Sequence, residues 1–180
     1  MDAAASEWTQ GDGYRLPKNG QSLTREALIA HFADLAGRFP IFSIEDPLGE
    51  DDFEGFAHIT EQLGAQVQIV GDDLFVTNPA RLEQGIRSRS ANAVLVKPNQ
   101  IGTLSETIRT VRLAQQHGYR TILSHRSGET EVTSIADIAV ALNAGQIKTG
   151  APARTDRVCK YNRLLKIEQT LGMAAVYGRL

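Results

Sequence analysis

A single cysteine, Cys159, leaves no second thiol for an internal disulfide, and unpaired thiol usage fits a reducing compartment. Neither sign of charge predominates. A net charge of -2 gives no ground for a nucleic-acid or anionic-membrane partner. No apolar run approaches the ~20 residues of a membrane span. The opening "MDAAASEW" lacks the basic region and apolar core of a signal peptide. No low-complexity segment or interdomain linker stands out. What remains is an ordinary globular composition, 42% apolar and 22% charged, over 180 residues. That length suits one domain with a real core. The expected location is cytoplasmic.

Short apolar runs recur at 41–46 "IFSIED", 68–73 "QIVGDD", 93–99 "AVLVKPN", 121–126 "TILSHR" and 146–150 "QIKTG". Rich in Ile, Val and Leu and too short for buried helices, they read as strands. Helical stretches lie between them. "TREALIAHFADLAGRF" sets Leu28, Phe32 and Leu35 on one face, and "LSETIRTVRLAQQHG" does the same with Ile108, Val111 and Leu113. Asp51 with Glu54, and Thr103 with Glu106, have capping-box spacing. Asn78 before Pro79 reads as a cap with proline at the first helical position, and Gly118 as a helix stop. A longer helix is predicted over 154–171, with Leu164, Leu165, Ile167 and Leu171 as its apolar members. The stretch 10–22, "QGDGYRLPKNGQS", reads as a flexible loop.

Strand–helix alternation argues for parallel β-structure and right-handed βα units. The strand ends Glu45, Asp72, Lys97, His125 and Lys148 recur about every 26 residues, a βα repeat. In a parallel barrel or a doubly wound sheet, the C-terminal ends of the strands carry the ligand site. Each charge alone has a plainer reading. Lys97 can snorkel to water, Glu45 and Asp72 can cap helices, and His125 can be a hydrogen-bonded core residue. Five such residues at successive strand ends point to one shared rim. Converging carboxylates suit a hard divalent cation such as Mg2+. Beside that cation the charged forms of two lysines are disfavoured, and their pKa values are expected to fall from ~10.4. A lysine base beside carboxylate-bound Mg2+ suits removal of a proton next to a carboxylate. In "SHRSGET" at 124–130, Arg126, Ser127 and the amides around Gly128 match a phosphate. A surface turn with an ion-paired Arg126 fits those seven residues equally well.

The remaining titratable residues read as bystanders. His31, His58 and His117 fall on helices or their ends, Cys159 reads as a buried inert thiol, and Trp8 and Tyr14 read as packing residues.

The stretches "FPIFSIEDPLGEDDFEGF", "QIVGDDLFVTNPARL", "VKPNQIGTLSETI", "SHRSGETEVTSIADIAVAL" and "GQIKTGAPARTDRVCKYNRLLKIEQTLG" span nearly the whole chain and strongly resemble enolase, the phosphopyruvate hydratase of glycolysis. The resemblance implies the general chemistry of enolase-superfamily sites, a lysine or histidine base acting with Mg2+. Position by position, the resemblance implies Asp2, Glu45 and Asp72 as Mg2+ ligands, with Asp46 and Asp73 as second choices. It implies Lys97 as the base on C2 of 2-phosphoglycerate, and Lys148 as the holder of the substrate carboxylate. It implies Arg126 and Ser127 at the phosphate and His125 against the substrate.

The resemblance further implies that this chain is the C-terminal part of an incomplete enolase-type TIM (β/α) barrel over 1–180. The family's N-terminal α+β domain, first barrel strands, general-acid glutamate and serine loop lie outside it. Asp2, directly after Met1, is expected on a frayed terminus. Open barrel edges are expected to favour association or aggregation. Three readings stay open. In one, the chain dehydrates 2-phosphoglycerate to phosphoenolpyruvate as a fragment or split subunit, completed by an N-terminal enolase portion or within a homodimer. In another, it is a non-catalytic remnant that binds Mg2+ or a phosphorylated acid. In the third, it is an interaction protein.

Overall fold

The computed structural model describes residues 1–178. A 3-10 turn at Ala5–Trp8 leads into three very short strands, β1 (Thr9–Gln10), β2 (Gly13–Arg15) and β3 (Ser22–Leu23). They form an antiparallel meander. Five of the 13 residues in the stretch expected to be a flexible loop, Gln10, Gly13–Arg15 and Ser22, therefore lie in strands, with turns between them. Its anchor is Tyr14, buried on β2, whose hydroxyl accepts from the Gly49 amide at 3.0 Å. Trp8 packs against the same core, as its packing role requires.

From there the chain runs α1 (Arg25–Arg38), β4 (Ser43–Glu45), α2 (Phe53–Leu63), β5 (Gln68–Gly71), α3 (Pro79–Ser88), β6 (Ala93–Val96), a one-turn α4 (Pro98–Ile101), α5 (Leu104–Gln116), β7 (Arg120–Ser124), α6 (Ser134–Ala141), β8 (Gly145–Lys148) and α7 (Thr155–Leu171). All five expected strands form. They pair in parallel in chain order β4-β5-β6-β7-β8. The Thr103 and Asn78 caps form as their spacing requires, and Gly118 follows α5 with φ 76°. The cap of α2 is Asp52, not Asp51: its carboxylate accepts from the Gly55 amide at 2.8 Å. Asp51 instead pairs with Arg81.

The sheet is strongly curled. Laid flat at ~4.8 Å per strand, β4 and β8 would stand about 19 Å apart, beyond the reach of two side chains. Yet Lys148 Nζ donates to Glu45 Oε1 at 2.8 Å. At the opposite end of the strands, Gln68 on β5 and Gln146 on β8 exchange amide hydrogen bonds of 2.8 and 3.1 Å. The strands thus wrap around a shared inner side, as in an incomplete TIM barrel. Alternation decides which residues face it. Val70, Ala93, Leu95 and Ile122 form a small apolar cluster on that inner side. It separates the glutamine end from the charged end. Ile44, Ile69, Val94, Val96 and Leu123 alternate with these and join the larger core beneath the helices.

That larger core contains a tight glycine cradle. The Phe75 ring lies so close to Gly71 and Gly85 that a Cβ on either would fall 2.6 or 2.4 Å from ring carbons. Alanine at Gly85, inside α3, gains up to ~1 kcal/mol of helix propensity. Overpacking the buried ring costs about 1–3 kcal/mol. Gly85→Ala is therefore expected to lower the thermal midpoint. A midpoint at or above that of the parent would show that the cradle has slack.

Helix α7 departs from its expected pattern. Leu165 and Leu171 are exposed, and its buried members are Arg157 and Lys160. Among the described residues no helix is long and apolar enough to cross a membrane.

Candidate active site at the strand ends

The C-terminal ends of β4, β5, β6 and β8 place Glu45, Asp72, Lys97 and Lys148 around one mouth. On β5 and at its end, the inward-facing residues Gln68, Val70 and Asp72 run two positions apart from the far end through the apolar cluster to this rim. Lys148 bridges two acids, Glu45 at 2.8 Å and Asp2 at 2.9 Å. Lys97 pairs with the buried carboxylate of Asp72, which the Gln100 amide also approaches at 3.4 Å. Each acid of the set Asp2, Glu45 and Asp72 thus carries a lysine ammonium as its counter-ion.

Asp2 is not frayed. Met1–Ala3 run alongside β4: Ala3 N donates to Glu45 O and Glu45 N to Met1 O, each at 2.9 Å. This parallel bridge sets Asp2 beside Glu45. Main-chain pairing, rather than the side chain, holds it there.

The position of Lys97 follows from the residues around it. Val96 ends the buried strand, and Pro98 at the first position of α4 forbids its continuation. The Lys97 amide donates to Thr77 Oγ1 at 2.9 Å, and Thr77 Oγ1 donates to Gln100. Thr110 on α5 in turn donates to Thr77 O at 2.7 Å. The base of the lysine is therefore fixed while its amine reaches the mouth.

Burial shapes the acids. It pushes Glu45 above the usual carboxylate range, against the lowering pull of Lys148, and Asp2 and Asp72 add to the rise. Burial likewise pushes Asp46 up to about 7 despite two amide donors. Those donors are the backbone N–H groups of Asp72 and Asp73, at 2.9 and 3.0 Å. Asp46, Asp72 and Asp73 form the tight acid cluster among the described residues, with ligand oxygens within 4.8 Å of one another. Both oxygens of Asp46 are already engaged in holding the β5 end, at a backbone φ of 43°. That makes it a support for Asp72 rather than a free ligand.

The lowered lysine pKa values are expected beside a bound divalent cation. Without one, the balance at Lys148 is set by burial and its two acids. Burial pulls the pKa down, but the hydrogen bonds Lys148 donates to Glu45 and Asp2, with their charges, outweigh burial, and the net shift is upward. Its carboxylate partners keep it charged, which suits a residue that holds an anion.

The "SHRSGET" stretch lies beside this mouth. His125 N donates to Lys148 O at 2.9 Å, and Arg126 donates to Asn99, two residues past Lys97, at 3.1 Å. Arg126 and Ser127 are exposed, and Arg126 makes no ion pair among the described residues. Sequence reasoning missed the two cations that organise this loop. Arg157 donates to His125 Nδ1 and to the carbonyls of Arg126 and Ser127, and the fully buried Lys160 donates to Thr130 O. Their only signal is a pair of cations three residues apart, on one face of a helix. His31, His58 and His117 are exposed, away from the rim, and Cys159 is half-buried rather than buried.

A family model described as "Enolase, C-terminal TIM barrel domain" matches residues 1–179. The enolase of Mycobacterium leprae (strain TN) is 60% identical over 179 residues, covering 99% of this chain and 41% of that protein. The enolase of Rubrobacter xylanophilus is 58% identical over 180 residues, covering 100% and 42%. The chain spans about two fifths of the length of these curated relatives. With a barrel model running through nearly every residue, and a sheet curled enough to join its first and last strands, the chain belongs to the enolase family, within its C-terminal TIM-barrel domain.

Proposed function

We propose that this chain carries the base and metal side of the enolase reaction, the Mg2+-dependent dehydration of 2-phosphoglycerate to phosphoenolpyruvate. The observation that supports it best is the acid–lysine rim: Lys148 spans Glu45 and Asp2 while Lys97 meets Asp72. Asp2, Glu45 and Asp72 offer only oxygen, as Mg2+ prefers. Glu45 and Asp72 are buried, and all three acids draw cations to them. The donor set therefore fits the ion. When bound, Mg2+ supplies positive charge where the substrate carboxylate becomes more negative.

The protein's own residues do the rest. Lys97 takes the proton from C2 of the substrate. Lys148, kept charged by its acids, holds the substrate carboxylate. Arg126 and Ser127 hold the phosphate, with the Arg126 fork anchored on one side by Asn99. His125 sits against the same ligand. The hydroxyl leaves with the help of an acid supplied from outside this chain, by the N-terminal enolase portion. No feature of the charge balance suggests nucleic acid, and the proposed location is the cytoplasm.

The test mixes the purified chain with Mg2+ and 2-phosphoglycerate and follows phosphoenolpyruvate absorbance, with and without the N-terminal enolase portion. Absorbance that rises only in the mixture is the expected result. A flat trace in both, with Mg2+ or substrate still bound, would instead favour a non-catalytic binding protein. Failure to bind either would favour the interaction protein.

A further inference from the structure

We infer that Arg157 locks the imidazole of His125 into the tautomer protonated on Nε2, so that the ring meets an anionic ligand as a hydrogen-bond donor. The identity of that ligand rests on the function proposed above; the tautomer does not.

The geometry leaves one consistent assignment. An Arg157 guanidinium nitrogen lies 2.6 Å from His125 Nδ1. A guanidinium has donors and no acceptor, and it stays charged at any working pH. Nδ1 must therefore accept, and a neutral ring then carries its proton on Nε2. A doubly protonated ring would set two donors against each other at that distance. The environment also favours the neutral ring: burial holds His125 below the ordinary histidine range, Arg157 and Lys148 add to this, and Glu129 and a hydrogen bond with the Thr149 backbone oppose them.

The guanidinium is itself immobilised. It donates to Arg126 O at 2.9 Å and Ser127 O at 3.2 Å, and its Nε lies 3.2 Å from Asp156. Three acceptors on one short stretch fix the plane of the fork and the path of the loop together. Room for this comes from Gly150, at φ 84°. A Cβ there would fall 2.9 Å from Arg157 Cδ and 3.0 Å from His125 Cε1. One turn further along α7, Lys160 holds Thr130 O. The helix therefore clamps the loop at both ends, and Arg157 acts as a positioning residue through His125.

Long-range 1H–15N NMR of the uniformly 15N-labelled chain at neutral pH reads the tautomer directly. The His125 signals are those lost in H125Q. The expected pattern is a protonated Nε2 and a bare Nδ1, before any metal or substrate is added. A protonated Nδ1 in the parent chain overturns the inference without any variant. In R157Q, checked for folding by circular dichroism, the glutamine amide can donate or accept, so the two nitrogens are expected to shift toward an averaged pattern. An unchanged pattern in folded R157Q overturns the causal role of Arg157. R157K keeps a donor-only head and is expected to retain the Nε2–H form; the Nδ1–H form there also counts against the inference. The experiment separates from the reaction: a bare Nδ1 with no turnover sinks only the dehydration reading, whereas turnover with a protonated Nδ1 sinks only this one.

Discussion

Replacing Lys97 by alanine is expected to lower phosphoenolpyruvate formation by ~10²–10⁴-fold in the chain recombined with the N-terminal enolase portion. The amine is the one group at the β6 tip suited to take a proton, and its backbone is fixed by contacts that alanine retains. Thr77 binds the Lys97 amide, and Pro98 starts the following turn. The substitution also leaves the buried Asp72 without its ammonium. An unpaired buried carboxylate is costly, so the thermal midpoint should fall as well. Lys97→Arg separates the two roles. Arginine keeps Asp72 paired but stays protonated at any working pH, so it cannot act as a base. K97R is expected to lose activity as severely as K97A while holding a midpoint near that of the parent. An active K97R would remove Lys97 from the role of base.

The second large effect concerns the metal. An ion that binds only the folded chain stabilises it by about 2.7 kcal/mol at a hundredfold excess over its dissociation constant. Mg2+ is therefore expected to raise the thermal midpoint of the parent chain by several degrees. In Asp72→Asn the rise should vanish, because one of three acids is gone and Lys97 is left as an unbalanced positive charge beside the site. Glu45→Gln should behave alike, since it removes the buried acid that Lys148 bridges to Asp2. Asp34→Asn, on the exposed face of α1 and paired only with Arg38, serves as the control and should keep the full rise. A Mg2+ response in D72N equal to that of the parent would move the ion elsewhere, with the Asp46–Asp73 pair as the nearest candidate.

What the sequence revealed and concealed divides along physical lines. The five buried strands were legible because each is a compact run of branched apolar residues ending in a charge. The rim followed from their common direction. The curl was stated only through the family resemblance and was not legible in any local pattern. It depends on Gln68 meeting Gln146 and Lys148 meeting Glu45 across intervening strands, and no local pattern encodes a contact between residues so far apart in sequence. The meander at β1–β3 was misread because its strands are two or three residues long, too short for alternation to show, and its glycines suggested a loop. Asp51 and Asp52 both have cap chemistry, and only the turn geometry chooses Asp52. Asp2 was misplaced because its anchor is backbone pairing to β4, which any side chain could have made.

The buried cations of α7 illustrate the same limit from the other side. Burial of Arg157 and Lys160 contradicts the usual preference of charged residues for water. It holds only because loop carbonyls of Arg126, Ser127 and Thr130 satisfy their donors. Composition and periodicity instead favoured Leu165 and Leu171 as core residues, and both are exposed.

The sharpest single test is hydrogen exchange at C2 of 2-phosphoglycerate, followed by proton NMR in D2O with Mg2+ and the chain recombined with its N-terminal portion. Loss of the C2 proton signal reports removal of that proton alone, apart from departure of the hydroxyl. Exchange that needs Mg2+ and disappears in K97A is the outcome that acids and lysines sharing one mouth require. Exchange that persists undiminished in K97A would show that these side chains, however closely gathered, do not perform the step.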